Sequence, residues 1–197
     1  MNRIVLGFMT AVLLPLAAGA QQGSHHQEQK PAQPAAQPTT QPESNPVSNA
    51  VRKIMERRAK VMIAAVEAMP ADKYGFRPTP DQMAFGHLVI HTAGANNFLC
   101  SSIAGTAAPT GEKLADADSK EKLVAALKSS FDYCSQALAK MDDSNLGEQV
   151  PFFGGEKNSR AGAMIVLTDS NYDHYSIAAM YLRLNGLTPP SAQPKKD

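Results

Sequence analysis

The sequence lacks a strong charge of either sign, a basic block and, after its first twenty residues, any long apolar run. Its 19 Lys and Arg residues nearly balance 18 Asp and Glu residues, for a formal net charge of +1. Basic residues cluster only as short pairs, at 52–53, 57–58 and 195–196, so a nucleic-acid partner is not predicted. No later segment has the roughly 20 apolar residues of a membrane span, and none alternates as a strand would. An all-α domain without a transmembrane segment is therefore predicted.

Residues 1–20 are predicted to be a Sec-type signal peptide. Arg3 is followed by an apolar run and then by Ala18, Gly19 and Ala20, the small residues that a signal peptidase requires. A retained anchor is less favoured because the run is short and Pro15 interrupts it. No cysteine follows the leader, which argues against a lipoprotein. The sequence thus predicts a periplasmic or secreted protein.

Composition divides the rest of the chain into a linker, one domain and a tail. Residues 21–47 are rich in Gln, Pro, Ala and Ser and are predicted to be a disordered linker, since they have too little apolar surface to offset the entropy of ordering. The His25-His26 pair inside it is interpreted as two solvated linker residues. Residues 48–190 are long enough for one domain with one core, and residues 191–197 form a polar tail.

Four segments carry apolar residues at the spacing of an amphipathic helix. They are predicted at 48–69, at 80–103 with Thr79 and Gln82 as a capping box, at 119–141 with Asp118 as N-cap, and from about Ser159 to a stop at Gly186. Each has one apolar stripe and a length near twenty residues. The predicted fold is an antiparallel four-helix bundle.

The fourth predicted helix places polar residues on its apolar stripe. Ser170 and His174 lie one turn apart between Leu167 and Ile177, where a polar group is costly unless it has a hydrogen bond or a metal. In the second predicted helix, His87 and His91 are four residues apart, and the stripe places His91 inward and His87 near its edge. Such a pair alone is a weak metal signal and is more often found on a surface.

Two further features leave alternatives open. Cys100 and Cys134 lie in the second and third predicted helices. An oxidising compartment would permit a disulfide between them, yet a buried free thiol at Cys134 would also suit its apolar stripe. Phe152 and Phe153 lie in the longest internal connection, where they would form either the wall or lid of a pocket or a plug for the end of the bundle.

Inward histidines from two helices are the usual way in which a bundle core builds a metal site. Two neutral imidazoles, a third ligand and a water would hold Zn²⁺, Ni²⁺ or a similar ion. The segments MPADKYGFRPTPDQMAFGHLVIHTAGANNFLC and NYDHYSIAAMYLRLNGLTPP resemble the DinB/YfiT-like superfamily of four-helix bundle proteins over nearly the whole domain.

The resemblance implies a metal site of three histidines, one in the second helix and an HxxxH pair in the last. His91 and His174 match two of these positions, whereas Ser170 stands at the third. His87 or Asn171 would then be the candidate replacement ligands. Members of the superfamily include metal-dependent thiol S-transferases and isomerases, so a small-molecule substrate and a divalent metal are expected.

Three functions follow as hypotheses. The chain is a metal-dependent enzyme of the thiol S-transferase or hydrolase type with a degenerate triad, a binding module that has lost its metal, or a structural envelope protein. Ser170 is the residue that keeps the second hypothesis open. A homodimer is compatible with all three, and the oligomeric state stays open.

Overall fold

Four long helices make up most of the described chain. The computed structural model describes residues 42–194; the predicted leader, most of the predicted linker and the last three residues of the tail lie outside this range. The helices are α1 (Pro46–Ala68), α2 (Phe85–Ala104), α3 (Lys120–Ala139) and α4 (Arg160–Leu184). A short hairpin of β1 (Gln149–Pro151) and β2 (Lys157–Ser159) precedes α4, and single 3₁₀ turns occupy Ala71–Lys73, Phe153–Gly155 and Pro190–Ala192.

The helices pack as a ring in which α1 and α2 each contact both α3 and α4. Arg52, near the start of α1, donates to the carbonyl of Leu138 near the end of α3 (2.8 Å), so these two helices are antiparallel. A Cβ placed on Gly86, at the start of α2, would lie 3.3 Å from Leu123 at the start of α3, so α2 and α3 run parallel. The loop at 105–119 therefore has to return along the bundle.

The pair α2 and α4 is antiparallel. Tyr181, near the end of α4, donates its hydroxyl to the carbonyl of Met83 just before α2 (2.7 Å). Arg160, the first residue of α4, donates to the carbonyl of Ile103 at the end of α2. The predicted all-α four-helix bundle is confirmed, with antiparallel packing in α1/α3 and α2/α4.

The predicted capping box at Thr79 is wrong, because α2 begins six residues later. Ala84 is its N-cap and makes no side-chain cap. The preceding loop supplies acceptors instead: Phe85 N–H donates to the carbonyl of Phe76 (3.1 Å), and Gly86 N–H donates to that of Tyr74 (2.7 Å). With its first donors satisfied in this way, the helix needs no side-chain cap.

Serines cap the last two helices. Ser159 accepts from Gly162 N–H at the start of α4 (3.0 Å), as expected from a helix that begins there. Ser119, not Asp118, caps α3. Asp118 instead accepts from Ala115 N–H (2.9 Å) and from the ammonium of Lys122 (3.1 Å). Its carboxylate thus holds the end of the loop rather than the helix itself.

The start of α1 is capped from the far end of α3. Asp143 accepts from the backbone N–H of Val47 (2.9 Å) and Ser48 (2.8 Å) and from the Ser48 hydroxyl (2.7 Å). Hydrogen bonds to the charged form hold the pKa of Asp143 below its ordinary value even though desolvation opposes them. One carboxylate therefore ties two distant parts of the bundle together.

No helix within residues 42–194 is long and apolar enough to span a membrane.

Candidate functional site

The packing of α2 against α4 brings two histidines from different helices together. The ring centroids of His91 and His174 are 4.9 Å apart, with the rings at 80° to each other. His174 is buried, with 7% of its surface exposed, whereas His91 is exposed at the rim. The pair therefore lies at the surface of the bundle, with one ring buried and the other in contact with solvent.

The prediction that His91 faces inward is wrong, because α2 is rotated relative to its predicted stripe. The buried positions include Phe85, Val89, Thr92, Asn96, Leu99 and Ile103. Thr92 can be buried because its hydroxyl donates to the carbonyl of Leu88 within the helix (2.7 Å). Asn96 is buried because neighbouring helices satisfy its amide. Satisfied polar residues thus occupy the core, and His91 moves to the edge.

His174 is held in its neutral form by its surroundings. Burial lowers its pKa below the ordinary value, and the neighbouring His91 lowers it further, while the charge of Asp173 acts in the opposite direction. Its Nδ1 atom is buried and has no hydrogen-bond partner among the described residues. A neutral imidazole is suited to binding a metal or accepting a proton through whichever ring nitrogen carries no proton.

Beneath the histidine pair, an amide network crosses three helices. Asn171 Nδ2 donates to Asn96 Oδ1 (2.8 Å) and to the carbonyl of Leu167 (3.0 Å). Asn96 Nδ2 donates to Ser130 Oγ on α3 (3.1 Å). Both asparagines are buried, at 2% and 0% exposure. Asn171 therefore lies inside the bundle, with its Oδ1 as the atom left without a partner.

The remaining candidate ligands lie around the pair in different ways. Ser170 is half-buried and, four residues before His174, is on the same face of α4. His87 is exposed, and its Nδ1 is 2.8 Å from Asp116 Oδ1 in the loop between α2 and α3. The His87 ring is therefore already paired with the carboxylate of Asp116.

The residues present fit an open two-imidazole site better than a three-histidine site. Within residues 42–194, no group of three or more His, Cys, Asp or Glu side chains is arranged to hold a metal. The close rings of His91 and His174 can supply two nitrogen ligands, and serine is a poor third ligand for Zn²⁺ or Ni²⁺. Water or substrate would have to fill the other positions, as in catalytic rather than structural sites.

An aromatic cluster lies farther along the same face of α2. Phe98, two helical turns or about 10 Å beyond His91, stacks on Phe153 with ring centroids 4.6 Å apart, and Phe152 contacts Phe153 at 5.0 Å. Gly154 and Gly155 have positive φ angles of 69° and 79°, which favour glycine. Phe153 keeps 46% of its surface exposed, so it is available to a ligand in a way that a buried plug would not be.

The two cysteines are joined in the structure. Cys100 on α2 and Cys134 on α3 form a disulfide with their Cα atoms 5.2 Å apart, and both residues are buried. The bond links the parallel pair of helices, so its place is structural. Its burial separates it from the exposed histidine rim.

Two residues of this region were missed from the sequence. Asn96 lies inside a helix that was predicted from its apolar residues, and an asparagine there gives no separate signal. The spacing Phe85, Val89, Thr92, Asn96 would have pointed to it had polar residues been allowed in the core. Asp116 is a loop residue 29 positions from His87, and no local pattern connects them.

Comparisons with known proteins agree on one family. The model of the DinB superfamily matches residues 54–178. A DinB-like protein from Bacillus subtilis is 18% identical, with a TM-score of 0.61 over 75% of this chain and 100% of that one. A DinB-like protein from Bacillus cereus is 14% identical, with a TM-score of 0.60 over 72% and 95%.

A mycothiol-dependent maleylpyruvate isomerase shares the fold at 10% identity, with a TM-score of 0.54 over 66% of this chain and 59% of that one. No curated protein sequence matches. At these identities, the solved structures establish the architecture and leave the chemistry to be argued from the site.

Proposed function

The chain belongs to the DinB superfamily, and from that premise we propose that it is an exported, divalent-metal-dependent enzyme of the thiol S-transferase or hydrolase type. His91 and His174 would be its nitrogen ligands, for Zn²⁺ or Ni²⁺. The observation that carries the proposal is the contact of their rings at 4.9 Å across α2 and α4. A bound divalent ion would lower the pKa of a water or thiol and so supply a nucleophile at neutral pH.

The two histidines have different parts in this site. His174 is fixed inside the bundle and defines where the site lies. His91 is exposed and can contact a ligand that arrives from solvent. Ser170, one turn from His174, offers a hydroxyl that can hydrogen-bond a substrate where a third histidine would otherwise fill the space.

The aromatic cluster supports a substrate of some length. Phe98 and Phe153 stack about 10 Å along α2 from His91. Between them, a Cβ on Gly94 would meet no atom within 4 Å, so the face of α2 is open there. A substrate whose reacting group lies at the histidines would extend over Gly94 and place an apolar part on Phe153.

Metal content decides the proposal. The untagged full chain, expressed with its own leader, is exchanged into metal-free buffer, loaded with Zn²⁺ or Ni²⁺ and analysed by mass spectrometry. We expect about one metal per chain in the wild type and loss of that metal in His91→Ala and in His174→Ala. His87→Ala is the matched control, because this histidine is also exposed on α2 but is paired with Asp116.

A second control removes the His25-His26 pair of the linker, so that any metal bound by these two residues does not enter the count. Retention of full metal content in both His91→Ala and His174→Ala would exclude the site. Removal of the metal by His87→Ala alone would place the ligand set elsewhere.

A non-catalytic binding protein is the second candidate function, and Ser170 is the residue that favours it. The Ser170→His variant restores a histidine four residues before His174, so that three imidazoles can face the same point. A large gain of metal affinity in this variant, with no stoichiometric metal in the wild type, would favour a protein that has lost its metal. Equal metal content in both would favour the enzyme.

A further inference from the structure

Two buried polar atoms on α4 lack partners at neighbouring positions. Asn171 Oδ1 and His174 Nδ1 have no hydrogen-bond partner among the described residues, and their residues are 2% and 7% exposed. Residues three apart on a helix are neighbours on its surface. Buried polar atoms are rarely left unpaired in folded proteins, so two such atoms one turn apart point to a shared interaction.

The orientation of the Asn171 amide follows from its other partners. Both protons of Nδ2 are used, one by Asn96 Oδ1 and one by the carbonyl of Leu167. A flipped amide would bring Oδ1 against these two acceptors and leave both bonds unmade. Asn96 is fixed in turn, because its own Nδ2 donates to Ser130, whose hydroxyl donates to a backbone carbonyl. The free atom of Asn171 is therefore an acceptor.

An acceptor next to a histidine nitrogen selects a tautomer. A neutral imidazole has one N–H donor and one acceptor nitrogen. We propose that Asn171 is a positioning residue: a rotation of the His174 ring, whose Nδ1 has no partner among the described residues, lets the free Oδ1 of Asn171 accept the Nδ1 proton directly and so keeps the lone pair on Nε2.

As a consequence, His174 would present the lone pair of Nε2, and not that of Nδ1, to a bound metal. The tautomer itself is a property of the metal-free protein, and only the use of Nε2 as a ligand rests on the proposed function. Partners of this kind orient metal-binding histidines, and their loss typically lowers metal affinity by about 10- to 100-fold. Asn96, which fixes the Asn171 amide, would act one step farther from the metal.

The tautomer can be measured by NMR. The full chain is labelled with ¹⁵N, stripped of metal, and examined by long-range ¹H–¹⁵N correlation at a pH where His174 is neutral. We expect a protonated Nδ1 and an unprotonated Nε2 in the wild type. Asn171→Leu has similar volume but no oxygen, and it should lose this preference, with averaged signals or a protonated Nε2.

Two further variants keep the result interpretable. Asn96→Leu retains Asn171 but removes the partner that fixes its amide, so it should weaken the tautomer preference as well, and it replaces Asn171→Leu if that variant does not fold. Asn97→Leu is the matched control, because Asn97 on α2 also has a buried Oδ1 without a partner but lies outside the network. It should leave the His174 signals unchanged.

The outcomes separate the inference from the proposed function. A protonated Nε2 in the wild type, or an unchanged His174 in both Asn171→Leu and Asn96→Leu, would overturn the inference even if metal binds. If the wild type shows the expected tautomer and binds no Zn²⁺ or Ni²⁺, the inference stands and the proposed function fails. If both stand, Asn171→Leu should bind the metal about 10- to 100-fold more weakly.

Discussion

The disulfide between Cys100 and Cys134 is expected to make a large contribution to the stability of the bundle. It joins two parallel helices and closes a loop with a sequence separation of 34. In the chain-entropy model, a closed loop of this length lowers the entropy of the unfolded state by about 13 cal/mol/K. At 25 °C this raises the free energy of unfolding by about 4 kcal/mol. Both cysteines are buried, so reduction should add no favourable hydration in the folded state.

The assay compares oxidised and reduced wild-type protein. The reduced form is prepared by unfolding and refolding in the presence of a phosphine reductant, and both forms are unfolded in urea. We expect the free energy of unfolding of the reduced form to be lower by about 4 kcal/mol. For a domain of this size, that loss corresponds to a decrease in melting temperature of about 8 to 16 °C. The Cys100→Ala/Cys134→Ala variant is the control, and its loss should be at least as large because it also removes buried sulfur.

Equal urea midpoints for the oxidised and reduced forms would refute this reasoning. Equal midpoints would mean that the covalent bond removes no additional entropy from the unfolded chain, contrary to the chain-entropy model. A related measurement is thiol content. Protein exported with its own leader should show no free thiol under denaturing conditions, whereas the same chain retained in a reducing cytoplasm should show two.

Three further predictions concern single residues. Asp143→Asn should lower the urea midpoint at pH 7, since this carboxylate caps α1. The pKa of Asp143 is lowered in the folded protein, so its contribution to stability is present above the pKa of the unfolded chain, near about 3.9, and is lost as the pH falls through the pKa of the folded state. The urea midpoints of wild type and variant should therefore become equal in acid. Tyr74→Phe should lower the free energy of unfolding in urea by about 1 kcal/mol, because the buried hydroxyl donates to the carbonyl of Val66 (2.7 Å). Burial raises the pKa of Tyr74 in the folded protein. The wild type, and not the variant, should therefore lose stability as the pH rises above about 10, the pKa of tyrosine in the unfolded chain. Phe153→Ala should cost about 0.5 to 1.5 kcal/mol through the lost stack on Phe98 and should raise KM more than it lowers kcat for any substrate found; an unchanged KM would argue against a ligand at this cluster.

The apolar stripes were sufficient to predict the bundle because each helix has to bury one face. The helix predicted at 119–141 is present as α3, and its apolar stripe is buried at Val124, Leu127, Phe131, Cys134 and Leu138. The start of α4 was also correct, since Ser159 caps it by a local hydrogen bond. The start of α2 was not, because its first donors are satisfied by Tyr74 and Phe76. Contacts of that kind depend on the path of the loop and leave no local pattern.

The predicted antiparallel arrangement holds for α1 with α3 and for α2 with α4, whereas the parallel pairing of α2 with α3 could not be predicted, for a related reason. A stripe shows which face is buried and not which neighbour covers it. The parallel arrangement of α2 and α3 follows from pairs such as Asn96 with Ser130, which become visible only once the helices are assembled. The long connection at 105–119 was compatible with either direction, although an antiparallel pair would have needed only a short one.

The same network explains both the error in the predicted site and the character of the site. Thr92 and Asn96 are buried because their hydrogen bonds are satisfied within the bundle, and this rotates α2 until His91 lies at the rim. Had apolar residues stood at both positions, the apolar spacing would have continued through them from Phe85 and Val89, and the prediction would have placed His91 at the edge. In the structure one imidazole, His174, is buried three residues from an asparagine with an unpaired oxygen, and the other, His91, faces solvent. A site of two unlike histidines, open on one side, would suit the proposed reaction on an external small molecule, and the buried His174 and Asn171 are the part of the site whose geometry the fold determines.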